Sequence, residues 1–108
     1  MVGKIFRVVI SGKAQKKLKK VNDYYEKSAS TEVAKRIRTG LVKEAKSLRK
    51  LPESKPLLQT IKKGNPPYRY TRKWSFKIIF QIFKKKDTVL IADFIHDKES
   101  PEKWDDIK

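Results

Sequence analysis

The sequence has 108 residues, 38% hydrophobic and 37% charged, and its 28 Lys and Arg against 12 Asp and Glu give a formal net charge of +16. This length supports one compact domain, predicted over residues 1–108, and this charge favours a polyanionic partner such as nucleic acid, the ribosome or an acidic protein. The lack of Cys excludes disulfides, Fe–S clusters, Cys-zinc sites and thiol nucleophiles, and no apolar run approaches the ~18 residues of a membrane span.

A strand and an amphipathic helix are predicted first. The run KIFRVVI (4–10) is aromatic and β-branched, which is typical of a strand. Ser11 is placed to cap a helix whose apolar residues recur every three or four positions. These apolar residues are Ala14, Leu18, Val21 and Tyr25. The pattern assigns Lys16, Lys17, Lys19 and Lys20 to the opposite, solvent-facing side.

A second amphipathic helix follows the polar break SAST (28–31), and Pro52 is expected to end it. Its apolar residues have the same spacing: Val33, Ile37, Leu41, Ala45, Leu48 and Leu51. Because the link is short and each helix has one apolar face, the two helices are expected to form an antiparallel hairpin.

The period of the apolar pattern changes to two after a loop-like segment at 52–67. Strands are predicted at 68–72, 75–83 and 88–95, and their short links indicate an antiparallel meander. The longest strand alternates between one face with Phe76, Ile78, Phe80 and Ile82 and another with Lys77, Ile79, Gln81 and Phe83. The predicted fold is therefore α+β, in the order β-α-α-β-β-β, with the helical hairpin packed on one face of the sheet.

The matching helical and strand periodicities predict one core. Its expected members are Ala14, Leu18, Val21, Ile37, Leu41, Leu48, Phe76, Ile78, Phe80 and Ile82. Leu57, Leu58 and Ile61 are expected to tether the loop to it.

The charge is uneven, with +11 over residues 1–50, +9 over 51–86 and −4 over 87–108. Residues 62–86 interleave Lys and Arg with Tyr, Trp and Phe, which favours a nucleic-acid contact. No Gly-rich phosphate loop is present, and one His without Cys excludes an ordinary zinc site. We therefore predict no metal and no cofactor. With neither a membrane span nor a secretory signal, the expected location is the cytoplasm.

Several short motifs follow one another along the chain. The first helix has an Ala-x-x-x-Leu pattern and ends in paired aromatics; the second closes with Leu-x-x-x-Pro and a Lys-Pro link. A basic residue precedes an apolar-apolar-aromatic triplet in the central strand, and the last strand runs into a His and a Pro-x-Lys segment. The positions are Ala14, Leu18, Tyr24, Tyr25, Leu48, Pro52, Lys55, Pro56, Lys77 to Phe80, and His96. Their order resembles the RelE/ParE toxin superfamily, and the long helical hairpin resembles its ParE-like members more closely.

This resemblance implies the toxin of a type II toxin–antitoxin pair of the plasmid stabilisation type, held inactive by an acidic antitoxin. ParE-like members poison DNA gyrase, whereas RelE-like members cleave mRNA on the ribosome, and both targets stay open. Another interpretation is a basic nucleic-acid-binding module without toxicity, since composition alone fits both classes.

If the chain is an enzyme, the resemblance implies a metal-independent endoribonuclease. The ribose 2′-OH then attacks the adjacent phosphate, so the protein must position RNA, stabilise phosphate charge and transfer protons. Lys77 stands where the endonucleases usually carry Arg, and His96 matches their acid or base; these are the predicted catalytic residues. The predicted nucleic-acid-binding residues are Arg69, Arg72, Lys73, Lys98 and Trp104. Lys at position 77 lacks the bidentate fork of Arg, which weakens the case for catalysis.

These residues also have plain structural interpretations. His96 is equally expected as a strand-end residue bonded to backbone, Lys77 as a solvated strand residue, and Trp104 as a packing residue. The endonuclease interpretation requires the candidate residues to meet on one surface, and the strand register decides whether they do.

Overall fold

The computed structural model describes residues 4–59 and 64–98. Its elements are β1 (Arg7–Ile10), α1 (Gly12–Ser28), α2 (Thr31–Ser47), β2 (Arg69–Lys73), β3 (Phe76–Phe83) and β4 (Thr88–His96), with short 3₁₀ turns at Pro52–Ser54 and Lys84–Lys86. This order confirms the predicted β-α-α-β-β-β arrangement.

The two helices begin at serine caps. Ser11 Oγ accepts the backbone N–H of Ala14, and Ser30 Oγ accepts that of Val33, each at 3.1 Å. Each cap satisfies one of the N–H groups that a helix start leaves without an intrahelical partner. In the described part of the chain neither helix combines the length and the apolar content needed to cross a membrane.

The end of α2 differs from the prediction. The helix stops at Ser47 with Leu48 as its C-cap, and Leu51 lies beyond it with φ of 50° and 67% of its surface exposed. The prediction that Leu51 continues the apolar face is therefore wrong. Leu48, fully buried, is the last leucine of the pattern that reaches the core, and the residue before a proline is disfavoured in the helical region.

The four strands form one mixed sheet in the order β1-β4-β3-β2. β3 pairs antiparallel with β2 and with β4, which confirms the meander, and β1 joins the outer side of β4 in parallel. Residues 56–58 run along the other side of β2, where the Leu58 N–H donates to the Tyr68 carbonyl at 2.9 Å.

The main core lies between the helical hairpin and the face of the sheet that we call the helix-covered face. Nine of the ten predicted core residues are buried there, and Ile37 is partly buried against them. A second apolar cluster occupies the far face of the sheet and comprises Leu58, Tyr68, Ile79, Ala92 and Ile95. Leu58 thus tethers the loop, but to this second cluster; Leu57 is 42% exposed, and Ile61 lies outside the described residues.

A β-bulge interrupts the pairing of β3 with β4. Ile79 pairs with Asp93 and Phe80 with Ile91, so Ala92 is the extra residue. The bulge resets the alternation of β4, and Ile91 and Phe94 therefore both reach the main core although they are three residues apart. Residues after the bulge lie on the face opposite to the one that strict alternation would give them.

Candidate functional site

A groove runs between α1 from Lys17 onward, the start of α2, the start of β3 and the end of β4. We call it the hairpin groove, and its volume is about 700 Å³. Its lining residues are Lys17, Lys20, Val21, Tyr24, Tyr25, Ser28, Ala29, Val33, Phe76, His96 and Lys98. Apolar and aromatic side chains dominate this set, and every charged side chain in it is a lysine.

Two tyrosines on α1 line the groove. Their rings meet edge to face, with centroids 5.0 Å apart. Tyr25 packs against the main core, whereas 64% of the Tyr24 surface is exposed. An exposed aromatic ring fixed against a buried one is a typical anchor point for a protein partner.

Lys17 ties the groove to the sheet. Its ammonium lies 3.6 Å from Oδ1 of Asp93, a buried carboxylate that also accepts the backbone N–H of Phe94 at 2.8 Å. Only 22% of the Lys17 side chain is exposed, so its assignment to the solvent-facing side of α1 is wrong. A buried carboxylate needs such partners because burial penalises an uncompensated charge. Lys20 and Lys98 remain at the exposed rim.

His96 lies in this groove at the end of β4. It pairs with Phe76 across the strands, and the two rings meet at 90° with centroids 5.0 Å apart. Nδ1 accepts the backbone N–H of Lys98 at 3.1 Å, so the neutral ring carries its proton on Nε2. This contact matches the interpretation of His96 as a strand-end residue bonded to backbone, and its role in proton transfer stays a prediction.

Lys77 and Arg72 lie on the far face of the sheet. Lys77 pairs with Arg72 on one side and with Ile95 on the other, and it follows Phe76, which pairs with His96. Because successive residues of a strand point to opposite faces, Lys77 lies on the face opposite to Phe76 and His96. The Lys77 ammonium lies 5.2 Å from the centroid of the Tyr70 ring, and Arg72 Nη2 lies 2.6 Å from Oδ2 of Asp97. The two predicted catalytic residues are therefore not brought onto one surface.

Arg69 and Lys73 occupy opposite ends of β2. Arg69 Nη1 donates to the Lys55 carbonyl at 2.7 Å and to the Glu53 carbonyl at 3.4 Å, so it braces the 3₁₀ turn. A hydrogen bond and the nearby charge of Lys84 hold the pKa of Glu53 below its usual range. The Lys73 ammonium lies over the Trp74 ring.

Trp104 lies outside the described residues. Of the six predicted site residues that the structure describes, only His96 and Lys98 line the hairpin groove.

The sequence did not point to the groove itself or to the Lys17–Asp93 pair. The paired tyrosines were visible as a motif, but the helical period assigned only Tyr25 to the packed face. Asp93 was visible as a carboxylate inside a strand, yet its pairing with a helix lysine depends on how α1 lies across β4.

Chemically, the hairpin groove is suited to binding. Its floor offers apolar and aromatic surface, its rim offers lysine ammonium groups, and His96 is its single imidazole. Such a surface matches an amphipathic segment whose polar side carries carboxylates.

Comparison with known proteins gives a family and a fold. The family model of the ParE toxin of the type II toxin–antitoxin system parDE matches residues 8–101. A chain of the chromosomal ParDE system from P. aeruginosa superposes with a TM-score of 0.69 at 17% identity, covering 85% of this chain and 96% of that one. A chain of the RelBE2 toxin–antitoxin complex from Mycobacterium tuberculosis gives 0.61 at 20% identity, covering 86% and 92%. No curated protein sequence matches significantly.

Proposed function

Because the chain belongs to the ParE toxin family of type II toxin–antitoxin systems, we propose that it arrests growth by poisoning DNA gyrase until an acidic antitoxin neutralises it. The observation that carries the antitoxin part of this proposal is the hairpin groove, an apolar cleft whose charged lining residues, among those the structure describes, are all lysines. The site of action would be the cytoplasm, and a plasmid stabilisation role would follow from the toxin–antitoxin pairing.

The antitoxin segment proposed for the groove is amphipathic. Apolar side chains would replace water over Val21, Tyr25 and Phe76, and carboxylates would pair with Lys20 and Lys98. The outer side of β2 is a poorer docking edge, since residues 56–58 already occupy it.

The separation of the basic residues favours gyrase over mRNA as the target. Metal-free RNA cleavage needs a proton-transfer group and phosphate-binding cations around one phosphate. His96 and Lys77 instead lie on opposite faces, and Arg72 is paired with Asp97. The second candidate is ribosome-dependent mRNA cleavage, which the location of His96 near Lys20 and Lys98 supports.

Inducible expression tests the proposal. The chain alone should arrest growth, and co-expression with the product of the adjacent small gene should restore it. The purified protein should cause gyrase-dependent DNA breaks and leave mRNA intact on ribosomes. Healthy growth at a high level of folded protein would instead favour the non-toxic nucleic-acid-binding module.

Three variants separate the roles in the same growth assay. His96→Ala should keep full toxicity, whereas an endonuclease that uses His96 would lose about a hundredfold or more in cleavage rate. Lys20→Glu places a carboxylate at the groove rim, so we expect toxicity with impaired rescue. Lys16→Glu, an equal charge change at an exposed α1 position outside the groove, is the control and should be rescued normally.

A further inference from the structure

Trp74 occupies an unusual backbone position. It is the first residue of the two-residue turn between β2 and β3, and its φ is 54°. Turn positions with positive φ normally carry Gly, Asn or Asp, because a Cβ is crowded there, and a bulky residue is an outlier. Strain of this kind persists only where the surrounding structure enforces it.

Gly40 on α2 makes room for the indole. A Cβ built on Gly40 would lie 2.1 Å from Cη2 and 2.7 Å from Cζ3 of Trp74, far inside van der Waals contact. A glycine within a helix lowers helix stability relative to Ala. The position of this ring against α2 therefore requires both a glycine within the helix and a turn residue with positive φ.

The ring is held without being buried. Trp74 is 52% exposed and belongs to neither apolar cluster of the described residues. Core packing therefore does not account for it, and an exposed tryptophan on a rigid element is a typical contact residue.

Cationic side chains line the groove beside the exposed ring. The Lys73 ammonium lies 4.7 Å from the ring centroid. A shallow groove of about 430 Å³ lies between the turn and α2, and we call it the Trp74 surface. Its lining residues are Glu32, Lys35, Arg36, Thr39, Gly40, Lys73 and Trp74. Three of them are cationic and one is acidic, and none lines the hairpin groove.

We propose that the Trp74 surface binds single-stranded nucleic acid, with an unpaired base against the indole and neighbouring phosphates on Lys73, Lys35 and Arg36. Sequence-tolerant single-strand binding combines an aromatic platform with a cationic track, and both are present here within one groove. The net charge of +16 draws polyanions to the molecule, and the aromatic ring selects strands whose bases are unstacked.

An acidic polypeptide fits this surface less well. Carboxylates would satisfy the cations, but the exposed part of a planar ring is best covered by another flat ring, which every nucleobase supplies. Duplex DNA keeps its base faces stacked and would meet only the cations.

Titration of a labelled, unstructured thymidine oligonucleotide of about 12 residues, a typical site size, measures the binding by fluorescence anisotropy. Trp74→Gly should weaken it about 5- to 150-fold, the equivalent of one stacked base. Trp74→Phe should retain most of the affinity. Glycine adopts positive φ freely, so the turn should still form in the glycine variant.

Arg36→Gln and Lys73→Gln should each lower the salt dependence by about 0.7 in the log–log slope. Lys19→Gln, an equal charge loss at an exposed α1 position outside both grooves, is the matched control. In Trp104→Phe, which leaves Trp74 as the single tryptophan, the oligonucleotide should quench the indole emission. This measurement decides the question if the glycine variant fails to fold.

Undiminished binding by Trp74→Gly, or unquenched Trp74 emission at saturation, would overturn the proposal. If polyglutamate competes with the oligonucleotide as well as unlabelled oligonucleotide does, the ligand class is an acidic polypeptide. If duplex DNA binds more tightly than the single strand, stacking on the Trp74 ring does not contribute to binding. The binding does not depend on toxicity, so a non-toxic chain that binds the oligonucleotide would refute only the proposed function.

Discussion

Two leucines of the same helical pattern differ completely in environment. Leu41 and Leu51 both fit the three-or-four spacing of the second helix, yet Leu41 is fully buried in the main core and Leu51 is 67% exposed. The period identifies which residues can share a face, but it does not show where the helix stops. The difference makes the pair a matched test of the core.

Leu41→Ala should lower the free energy of unfolding by about 2–5 kcal/mol, because it removes buried methyl groups and leaves a cavity. Leu51→Ala should stay within about 0.5 kcal/mol, the usual range for surface changes. Denaturant unfolding of both variants measures these values. A loss below 0.5 kcal/mol at position 41 as well would mean that the core is not packed as described.

Two of the predicted nucleic-acid-binding residues already have polar partners within the protein. Arg69 and Arg72 keep fixed polar partners in the described structure, a carbonyl pair and Asp97 respectively. A guanidinium held in this way stabilises the fold. It must break that contact before it can bind a phosphate. Residue type alone predicted a phosphate ligand at both positions.

At the scale of elements, the cap at Ser11 was predicted because a cap is a local signal, whereas the start of the second helix was predicted only from the polar break at 28–31. Ser30 sits at the break between α1 and α2, and its Oγ accepts the Val33 N–H. Ser30→Ala should therefore lower stability by about 0.5–2 kcal/mol.

Ser47→Ala is the control for the cap. Ser47 is exposed at the other end of α2, and in the described part of the chain its hydroxyl donates to the Glu44 carbonyl within the same helix. We expect a change within about 0.5 kcal/mol. Equal losses in the two variants, by thermal or denaturant unfolding, would contradict a specific capping role for Ser30.

The bulge in β4 decides on which face His96 lies. Under strict alternation His96 would share a face with Leu90 and Ala92, on the side of the sheet that carries Lys77. The extra residue at Ala92 turns Phe94 and His96 to the helix-covered face instead. One inserted residue therefore separates the two predicted catalytic side chains and sends the imidazole into the hairpin groove.

At the scale of the whole molecule, helices and sheet share one main core, so we expect residues 1–108 to unfold as one unit. In the Trp104→Phe variant, far-ultraviolet circular dichroism reports the helices, and Trp74 emission reports the β2–β3 turn. Their denaturant transitions should coincide. Separate midpoints would show that the hairpin and the sheet are independent units.

The distribution of charge also belongs to this scale. The hairpin groove and the Trp74 surface share no lining residue, and lysine or arginine is the dominant charge in both. A polyanionic partner predicted from net charge alone thus corresponds to two surfaces with different chemistry, one apolar with a lysine rim and one built around a single exposed ring.

By itself the sequence determined the element order, the cap at Ser11, and nine of the fourteen buried residues that form the main core in the described part of the chain. These follow from periodicity and from local hydrogen-bonding chemistry, which act over a few neighbouring residues. Family membership, too, was visible in the order of short motifs.

Only the tertiary structure decided the parallel pairing of β1 with β4, the burial of Lys17 against Asp93, and the faces of Lys77 and His96. Each depends on contacts between residues far apart in the chain, and a strand register or a bulge changes a residue's face without any change in local composition. The same holds for Trp74, whose exposed ring is held by a glycine 34 positions earlier on another element.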